Sequence, residues 1–434
     1  MKSIIKKIWS MLPSYPHFKM NVFSISNDPK WLKNFYLSLK EDNTDLIKGK
    51  SQTLYKKILE KELNSRSIYT FANGRMGFFS ILKVIQIQKG DEVIISSYTC
   101  VVVSNAILYA EGTPVYCDIS KDDFNIDVSK VENLITEKTK VLYAQHTFGQ
   151  MCNILKLKEI AKKYGLILIE DTALALGAKI EGSSAGTIGD FGYYSTDRSK
   201  VINTGLGGVV SVNNPCYEDA FNYFYSKIPY LSTEITLKIA NTFLINSITL
   251  HPKIYWIGKF VNGCLSKMNF LTYFLDEQFH ELDKIKKYPY PARLSSVFAK
   301  IGIEEVEKLQ VNVESRRKKA VYFNRVLKIY SDRYMQDSQN IFLRYSFLIK
   351  NRDYWEKRFE SKIDLSIWFK TVTSGKSDRF DEIGYMVGKN KVSEYVCDHI
   401  FNIPTHGNIK EERLELLLRE LKTSGDILTK ENSL

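Results

Sequence analysis

Residues 166–210 read LILIEDTALALGAKIEGSSAGTIGDFGYYSTDRSKVINTGLGGVV, and their order decides the fold. Leu166–Glu170 is an apolar run closing on an acid, with Asp171 directly after it. Such a run suits a strand buried on both faces of a parallel sheet. In the segment Gly189–Lys200 that follows, Lys200 lies between a short strand and the glycine-rich turn Thr204-Gly205-Leu206-Gly207-Gly208. In open α/β sheets, ligands bind beyond the carboxyl ends of the strands. Asp171 and Lys200 are therefore candidates for one site. Taken singly, Asp171 reads equally well as a helix N-cap or as a carboxylate facing a ligand cation, a metal or a ribose. Lys200 reads either as a solvated surface lysine or as an amine desolvated in a cleft, its pKa lowered for nucleophilic work.

Working back towards the N-terminus, strand and helix patterns alternate. Strands are predicted at Ser67–Ala72, Glu92–Ser97, Pro114–Asp118 and Lys140–Gln145, and helices at Asn73–Gln88, Val101–Ala110, Val128–Ile135 and Leu155–Tyr164. This alternation means crossover connections and a mainly parallel sheet covered on both faces. The helix that opens at Asn73-Gly74-Arg75-Met76-Gly77 follows a strand directly. Free N–H groups and the helix dipole favour a phosphate at such a start, and Gly74 allows close backbone approach; a plain turn with an N-cap is the alternative. Residues 215–290 break the rhythm, being aromatic-rich and helical in pattern. A smaller α/β unit follows from about Arg344, with strands expected at Phe342–Ile349 and Ile363–Phe369 and a helix at Glu411–Leu421. The expected organisation is an extension over 1–50, a large domain over 51–290 that contains the helical insertion 215–290, and a linking helix with a small C-terminal domain over 291–434.

Composition excludes several classes. Of 434 residues, 44% are hydrophobic and 25% charged, as in an ordinary globular chain. The six cysteines never fall at a C-x-x-C spacing and the six histidines are scattered, so no metal site is expected. The net charge of +12 comes from lysine spread along the chain, without a nucleic-acid-binding motif. Lys6 and Lys7 interrupt the first apolar run and no uncharged 18-residue stretch occurs. Neither a signal peptide nor a spanning helix is expected, and the chain is expected in the cytoplasm.

The ordered motifs resemble the DegT/StrS-type nucleotide-sugar aminotransferases, which are fold-type I pyridoxal 5'-phosphate (PLP) enzymes. The resemblance is carried by ANGRMGFFSILKVIQIQKGDEVIISSYTCVVVSNAILYAEGTPVYCDI (72–119), QHTFGQMCNILKLKEIAKKYGLILIEDTALALGAKIEG (145–182), GTIGDFGYYSTDRSKVINTGLGGVV (186–210), RLSSVFAKIGIEEVEKL (293–309) and FNIPTHGNI (401–409). It runs from about 54 to 421 and fades across 215–290. It implies an α/β, fold-type I PLP-dependent transferase. Gly74, Arg75 and Met76 correspond to the loop holding the PLP phosphate, Ser195 to a phosphate-binding hydroxyl and Cys100 to the position against the PLP ring. Asp171 corresponds to the partner of the pyridine nitrogen and Lys200 to the Schiff-base lysine. Arg293 corresponds to an arginine that reaches a neighbouring subunit's site, which implies a homodimer.

This chain departs from the family pattern at five positions. Cys100 stands where an aromatic usually stacks, Leu174 where Gln or His is usual, Leu176 where His is frequent, Leu206 for Glu in G-E-G-G, and Pro291 for an Asn given to the partner subunit. The implied activity is aminotransfer, with glutamate as donor, to a nucleotide-linked keto sugar for surface polysaccharide. The rivals are a dehydratase of the same fold, in which His replaces the lysine, and a PLP-fold protein that has lost catalysis. Peripheral contact with an anionic membrane is a further expectation. It rests on Ile4, Ile5, Ile8, Trp9 and Leu12 beside Lys2, Lys6 and Lys7, and on IANTFLINSITLHPKIYWIGKFV (239–261) with Tyr255 and Trp256; both segments could equally pack on the protein itself.

Overall fold

A computed structural model describes residues 18–21, 23, 29–40, 46–272, 288–337 and 339–428. Its centre is a seven-stranded sheet built from β1 (Ile68–Phe71), β2 (Glu92–Ser96), β3 (Thr113–Cys117), β4 (Thr139–Gln145), β5 (Ile167–Asp171), β6 (Phe191–Ser195) and β7 (Gly208–Val212). The spatial order is β1-β7-β6-β5-β4-β2-β3. The five strands from β3 across to β6 run parallel, while β7 is antiparallel to both neighbours. Each strand end therefore has a fixed neighbour. Gln145 pairs with Asp171, and Asp171 with Tyr193; on the other side, Ser195 pairs with Gly208. Both faces are covered, as the apolar runs require. Val93, Ile94 and Ile95 in β2 and Leu168 and Ile169 in β5 are all buried.

The helices begin with α1 (Pro29–Ser38), α2 (Lys50–Leu63), α3 (Gly74–Val84), α4 (Val101–Tyr109) and α5 (Ile154–Tyr164). The ends of α3 and α5 follow from their sequences. Asn73 caps α3, its Oδ1 accepting from Met76 N at 2.9 Å, and Asn153 caps α5 in the same way through Lys156 N at 3.3 Å. Gly165, with φ of +65°, closes α5 in the left-handed conformation that glycine adopts without steric cost. Of the helix expected over 128–135, only Val128–Val131 is α-helical; a single tight turn at Glu132–Leu134 ends it.

The insertion forms α6 (Glu218–Lys227), α7 (Thr233–Thr249) and α8 (Tyr255–Lys267). An aromatic cluster locks α6 to β1, with Tyr69 4.5 Å from Phe221 and Phe71 5.4 Å from Tyr225 between ring centroids. The reading of 1–50 as a plain extension needs correction where it is described. Met20 forms a parallel bridge to Ile363, Lys19 N donates to Pro252 O at 3.0 Å, and Phe35 packs edge-on against Phe243. This N-terminal segment is wedged between the insertion and the C-terminal unit. A stretch so short shows no periodicity, because its partners are supplied by distant residues. The lysine-rich stretch 1–12 lies outside the described residues. In 239–261, Tyr255 is buried and Trp256 lies under Lys19, whose Nζ is 4.6 Å from its ring, so these two aromatics pack inward and do not form an interfacial belt. No described helix is long and apolar enough to cross a membrane.

After α9 (Ser296–Glu307) and α10 (Leu309–Leu327), the C-terminal unit pairs β8 (Arg344–Leu348) with β9 (Ile400–Pro404), antiparallel, under α11 (Arg352–Glu360), α12 (Lys391–His399) and α13 (Glu415–Thr423). The strand expected at Ile363–Phe369 does not form. Its backbone is held by side chains instead: Arg344 Nη1 donates to Leu365 O at 2.9 Å, and Asn402 Oδ1 accepts from Trp368 N at 3.3 Å. The result is an irregular segment that carries Trp368 and Phe369 towards the large domain.

His406, just beyond β9, is buried and donates from Nε2 to Asn21 O at 2.9 Å. Burial, reinforced by the Arg316 guanidinium, pushes its pKa down to about 3. The folded state thus keeps the ring neutral while the unfolded chain takes up a proton near pH 6.5. This group's contribution to stability is complete above that pH and is lost as pH falls towards 3. Between pH 7 and pH 5 it should cost the wild type about 2 kcal/mol. His406→Gln should remove that part of the acid sensitivity. Urea unfolding of both proteins at the two pH values checks it; equal losses would show that the ring does not titrate in this way.

Candidate active site

The carboxyl ends of β4, β5 and β6 open into a cavity of about 320 Å³. Sequence-expected residues Gly74, Arg75, Cys100, Asp171, Ser195 and Lys200 all line it, together with Leu174 at one departure position. Met76 does not line it. Its side chain is fully buried, with the sulfur 3.3 Å from Ala292 N, and its amide is already capped by Asn73. At this turn the cavity is lined by Asn73, Gly74 and Arg75. Arg293 does not line the cavity either; it stacks over Tyr225 at 4.4 Å and its backbone joins Phe71 and Tyr230.

Asp171 sits at the floor, buried. Its Oδ1 accepts from Ala173 N at 2.8 Å and its Oδ2 from the Tyr143 hydroxyl at 2.5 Å. Tyr143 and Tyr193 share a hydroxyl contact of 2.5 Å, and Phe78 stacks on Tyr193 at 5.3 Å. Burial, with the Asp171 charge beside them, drives both phenols well above their ordinary pKa. They stay neutral and hold the carboxylate in place. Asp171 thus caps the turn at Ala173 and lines the cavity.

Lys200 lies in the loop between β6 and β7, its backbone N donating to Asp197 O at 3.0 Å. Its Nζ is 5.5 Å from the Trp368 ring. Desolvation lowers its pKa, and the negative charges of Asp197 and Asp171 offset this only partly. Cys100 also lines the cavity, where burial pushes its thiol up and Lys200 and Arg75 pull it back. Its Sγ donates to Ser374 O at 3.4 Å. The glycines explain the close fit at the other end. A Cβ on Gly208 would run into the Asn73 backbone, and one on Gly74 would lie 3.1 Å from the Ser195 Cβ. Larger residues would push the helix start and the β6 end apart.

Lining residues that sequence reasoning missed include Gln145, Trp368, Phe369, Arg198 and Phe23. Gln145 was findable, since it ends a strand beside Asp171. It is fully engaged, with Nε2 donating to Tyr98 O and Thr147 Oγ1 at 2.9 Å each and Oε1 accepting from Thr99 Oγ1 at 2.6 Å. Trp368 and Phe369 come from nearly 170 positions further on than Lys200, and no local pattern marks them. Tyr98 holds that distant segment, its hydroxyl donating to Phe369 O at 3.2 Å and accepting from Phe369 N at 2.9 Å. The aromatic surface absent at Cys100 is thus supplied by Trp368, Phe369, Phe78 and Tyr193.

The donor set fits PLP. Asn73 Nδ2 is buried beside the first turn of α3 with no hydrogen-bond partner, as a phosphate-binding donor would be. Asp171 would be the carboxylate to pair with a pyridine nitrogen, and Lys200 offers an amine of lowered pKa. Leu174 supplies no hydrogen bond to a ring oxygen. Among the described residues, no cluster could hold a metal ion.

The α/β fold with its seven-stranded mixed sheet matches that of DegT-family aminotransferase structures. The model of the DegT/DnrJ/EryC1/StrS aminotransferase family matches residues 35–227. The chain is 37% identical over 142 residues to the GDP-perosamine synthase of Caulobacter vibrioides, an alignment covering 33% of this chain and 38% of the relative. It is 34% identical over 144 residues to the L-glutamine:2-deoxy-scyllo-inosose aminotransferase of Streptomyces kanamyceticus, covering 33% and 34%. Such alignments span less than half the length of the curated relatives. The fold likeness is wider. Helicobacter pylori PseC, an aminotransferase involved in the biosynthesis of pseudoaminic acid, superposes with a TM-score of 0.69 at 16% identity, covering 93% of this chain and 98% of that one.

Proposed function

We propose that this chain is a PLP-dependent aminotransferase that moves an amino group from an amino acid, glutamate being the favoured donor, to a nucleotide-linked keto sugar. The observation that carries this reading is the convergence of Lys200, Asp171 and the unpartnered Asn73 amide on one cavity. Bound PLP would supply an electron sink that neither substrate nor side chains provide. Asn73, Gly74 and Ser195 would hold its phosphate, and Asp171 would keep its ring nitrogen protonated. Lys200, desolvated, would act as nucleophile and then carry the proton to and from the amino-bearing carbon. Arg75 and Arg198 bring positive charge to the walls for the anionic ends of the two substrates. A homodimer is part of the proposal, with Arg293, outside its own chain's cavity, serving the partner's.

The test is visible absorbance of the PLP-loaded protein before and after glutamate, and in parallel glutamine. One donor should convert the long-wavelength cofactor band to the shorter-wavelength amine form. Borohydride reduction before addition of donor should place the adduct on Lys200. A cofactor band indifferent to both donors, or no band at all, would overturn the aminotransferase reading.

A further inference from the structure

Beside the cofactor cavity lies a second chamber of about 440 Å³, built largely by the insertion helices α7 and α8. The two cavities share three wall residues, Phe23, Arg198 and Ser366. Nothing in the resemblance accounts for this chamber, because the insertion is where the resemblance fades.

Its lining is polar where a helix pair would ordinarily be apolar. Asn246 is only 2% exposed, and its Nδ2 has no hydrogen-bond partner. Its other amide atom is engaged: Asn246 Oδ1 accepts from Asn262 Nδ2 at 2.9 Å. Asn262 Oδ1 in turn lies 2.9 Å from the Thr249 hydroxyl. A buried amide donor left without an acceptor is costly, so a helix pair that places one at a cavity wall is built to meet an acceptor. Lys259 contributes an ammonium at the rim, 3.4 Å from Asp364, and Arg198 stands where the two cavities adjoin, over the Phe23 ring at 5.5 Å.

We propose that this second chamber is the nucleoside subsite of the substrate. The sugar carbon to be aminated lies with Lys200 in the first cavity, the diphosphate passes Arg198 at the shared wall, and the nucleoside enters the chamber. There Asn246 Nδ2 donates to a carbonyl oxygen of the base, and Lys259 adds positive charge near the phosphates. The placement follows from charge: a diphosphate seeks cations, and the wall common to both cavities carries one. This inference rests on the proposed nucleotide-linked substrate. It adds where the nucleotide binds and which insertion residues read it.

The experiment is calorimetric titration of the PLP-loaded protein with UDP and with GDP, on the wild type, Asn246→Asp and Lys259→Ala. Asn246→Asp keeps the acceptor for Asn262 and replaces the donor with a carboxylate oxygen; Lys259→Ala changes an exposed side chain and leaves the packing alone. The wild type should bind one of the two nucleotides, Asn246→Asp should weaken it about tenfold or more, and Lys259→Ala should weaken it severalfold with a shallower salt dependence. Unchanged affinity in both variants overturns the subsite. So does a wild type that binds neither nucleotide while an amino donor still converts its cofactor, a result that leaves aminotransfer standing. Nucleotide affinity that follows Asn246 in a protein whose cofactor ignores every donor overturns the activity and leaves the subsite standing.

Discussion

Lys200→Ala is expected to abolish turnover, with a loss of about 10⁴-fold or more, since it removes nucleophile and proton carrier together. The structure predicts that the fold survives. Lys200 makes no side-chain hydrogen bond among those described, and its amine pays desolvation where it stands, so the variant should unfold no earlier than the wild type. Lys200→Arg separates charge from chemistry. A guanidinium keeps the cation beside Trp368, yet it cannot give up its proton at working pH, so this variant should be equally inactive. The measurement is steady-state aminotransfer from the donor found by absorbance, with thermal unfolding recorded alongside. Turnover above about one per cent of wild type in either variant would be inconsistent with a lysine that performs covalent and proton-transfer work.

Asp171→Ala should lower kcat by about 10²–10³-fold, the usual cost of removing a preorganised charge from a reacting centre. Two effects add. The pyridinium position loses its counterion, and the Tyr143 hydroxyl loses its acceptor. Tyr143 and Tyr193 remain paired with each other, so the cost to stability should stay within about 1–3 kcal/mol. Asp171→Asn sharpens the test. It preserves volume and a carbonyl for Ala173 N but carries no charge, so it should resemble Asp171→Ala in kcat while melting close to wild type. If Asp171→Asn turned over at the wild-type rate, the residue would be a cap and not an electrostatic partner.

Both residues were legible in the sequence because each sits where a strong local signal ends. Asp171 closes a four-residue apolar run, and Lys200 precedes a Gly-Gly pair that starts a strand. Gly74 and Arg75 were legible for the same reason, at the step from β1 to α3. Met76 lies outside the cavity lining, its amide taken by the Asn73 cap, and the pattern of residues does not show which amide a cap will take. The alternation of strands and helices also came through in the sequence, with most boundaries shifted by one residue and the helices at 73–88 and 128–135 ending early, at Val84 and Val131.

The residues that stayed hidden share a different property. Trp368 and Phe369 reach the cavity on a segment expected to be a strand, because Arg344, Asn402 and Tyr98 hold its backbone by side-chain hydrogen bonds from three distant elements. Asn246 is an unremarkable polar residue within an apolar helix until α8 packs beside it and leaves one amide hydrogen facing a cavity. Phe23 belongs to a segment with no period at all. The sequence by itself determined the α/β rhythm, the strand-end acid, the lysine before the glycines and the helix start after the first strand, since each depends on neighbours within a few positions. Which aromatic faces Lys200, where the N-terminal segment lies and that the insertion encloses a second chamber were settled only on folding, because those contacts join separate elements and leave no local periodicity to read.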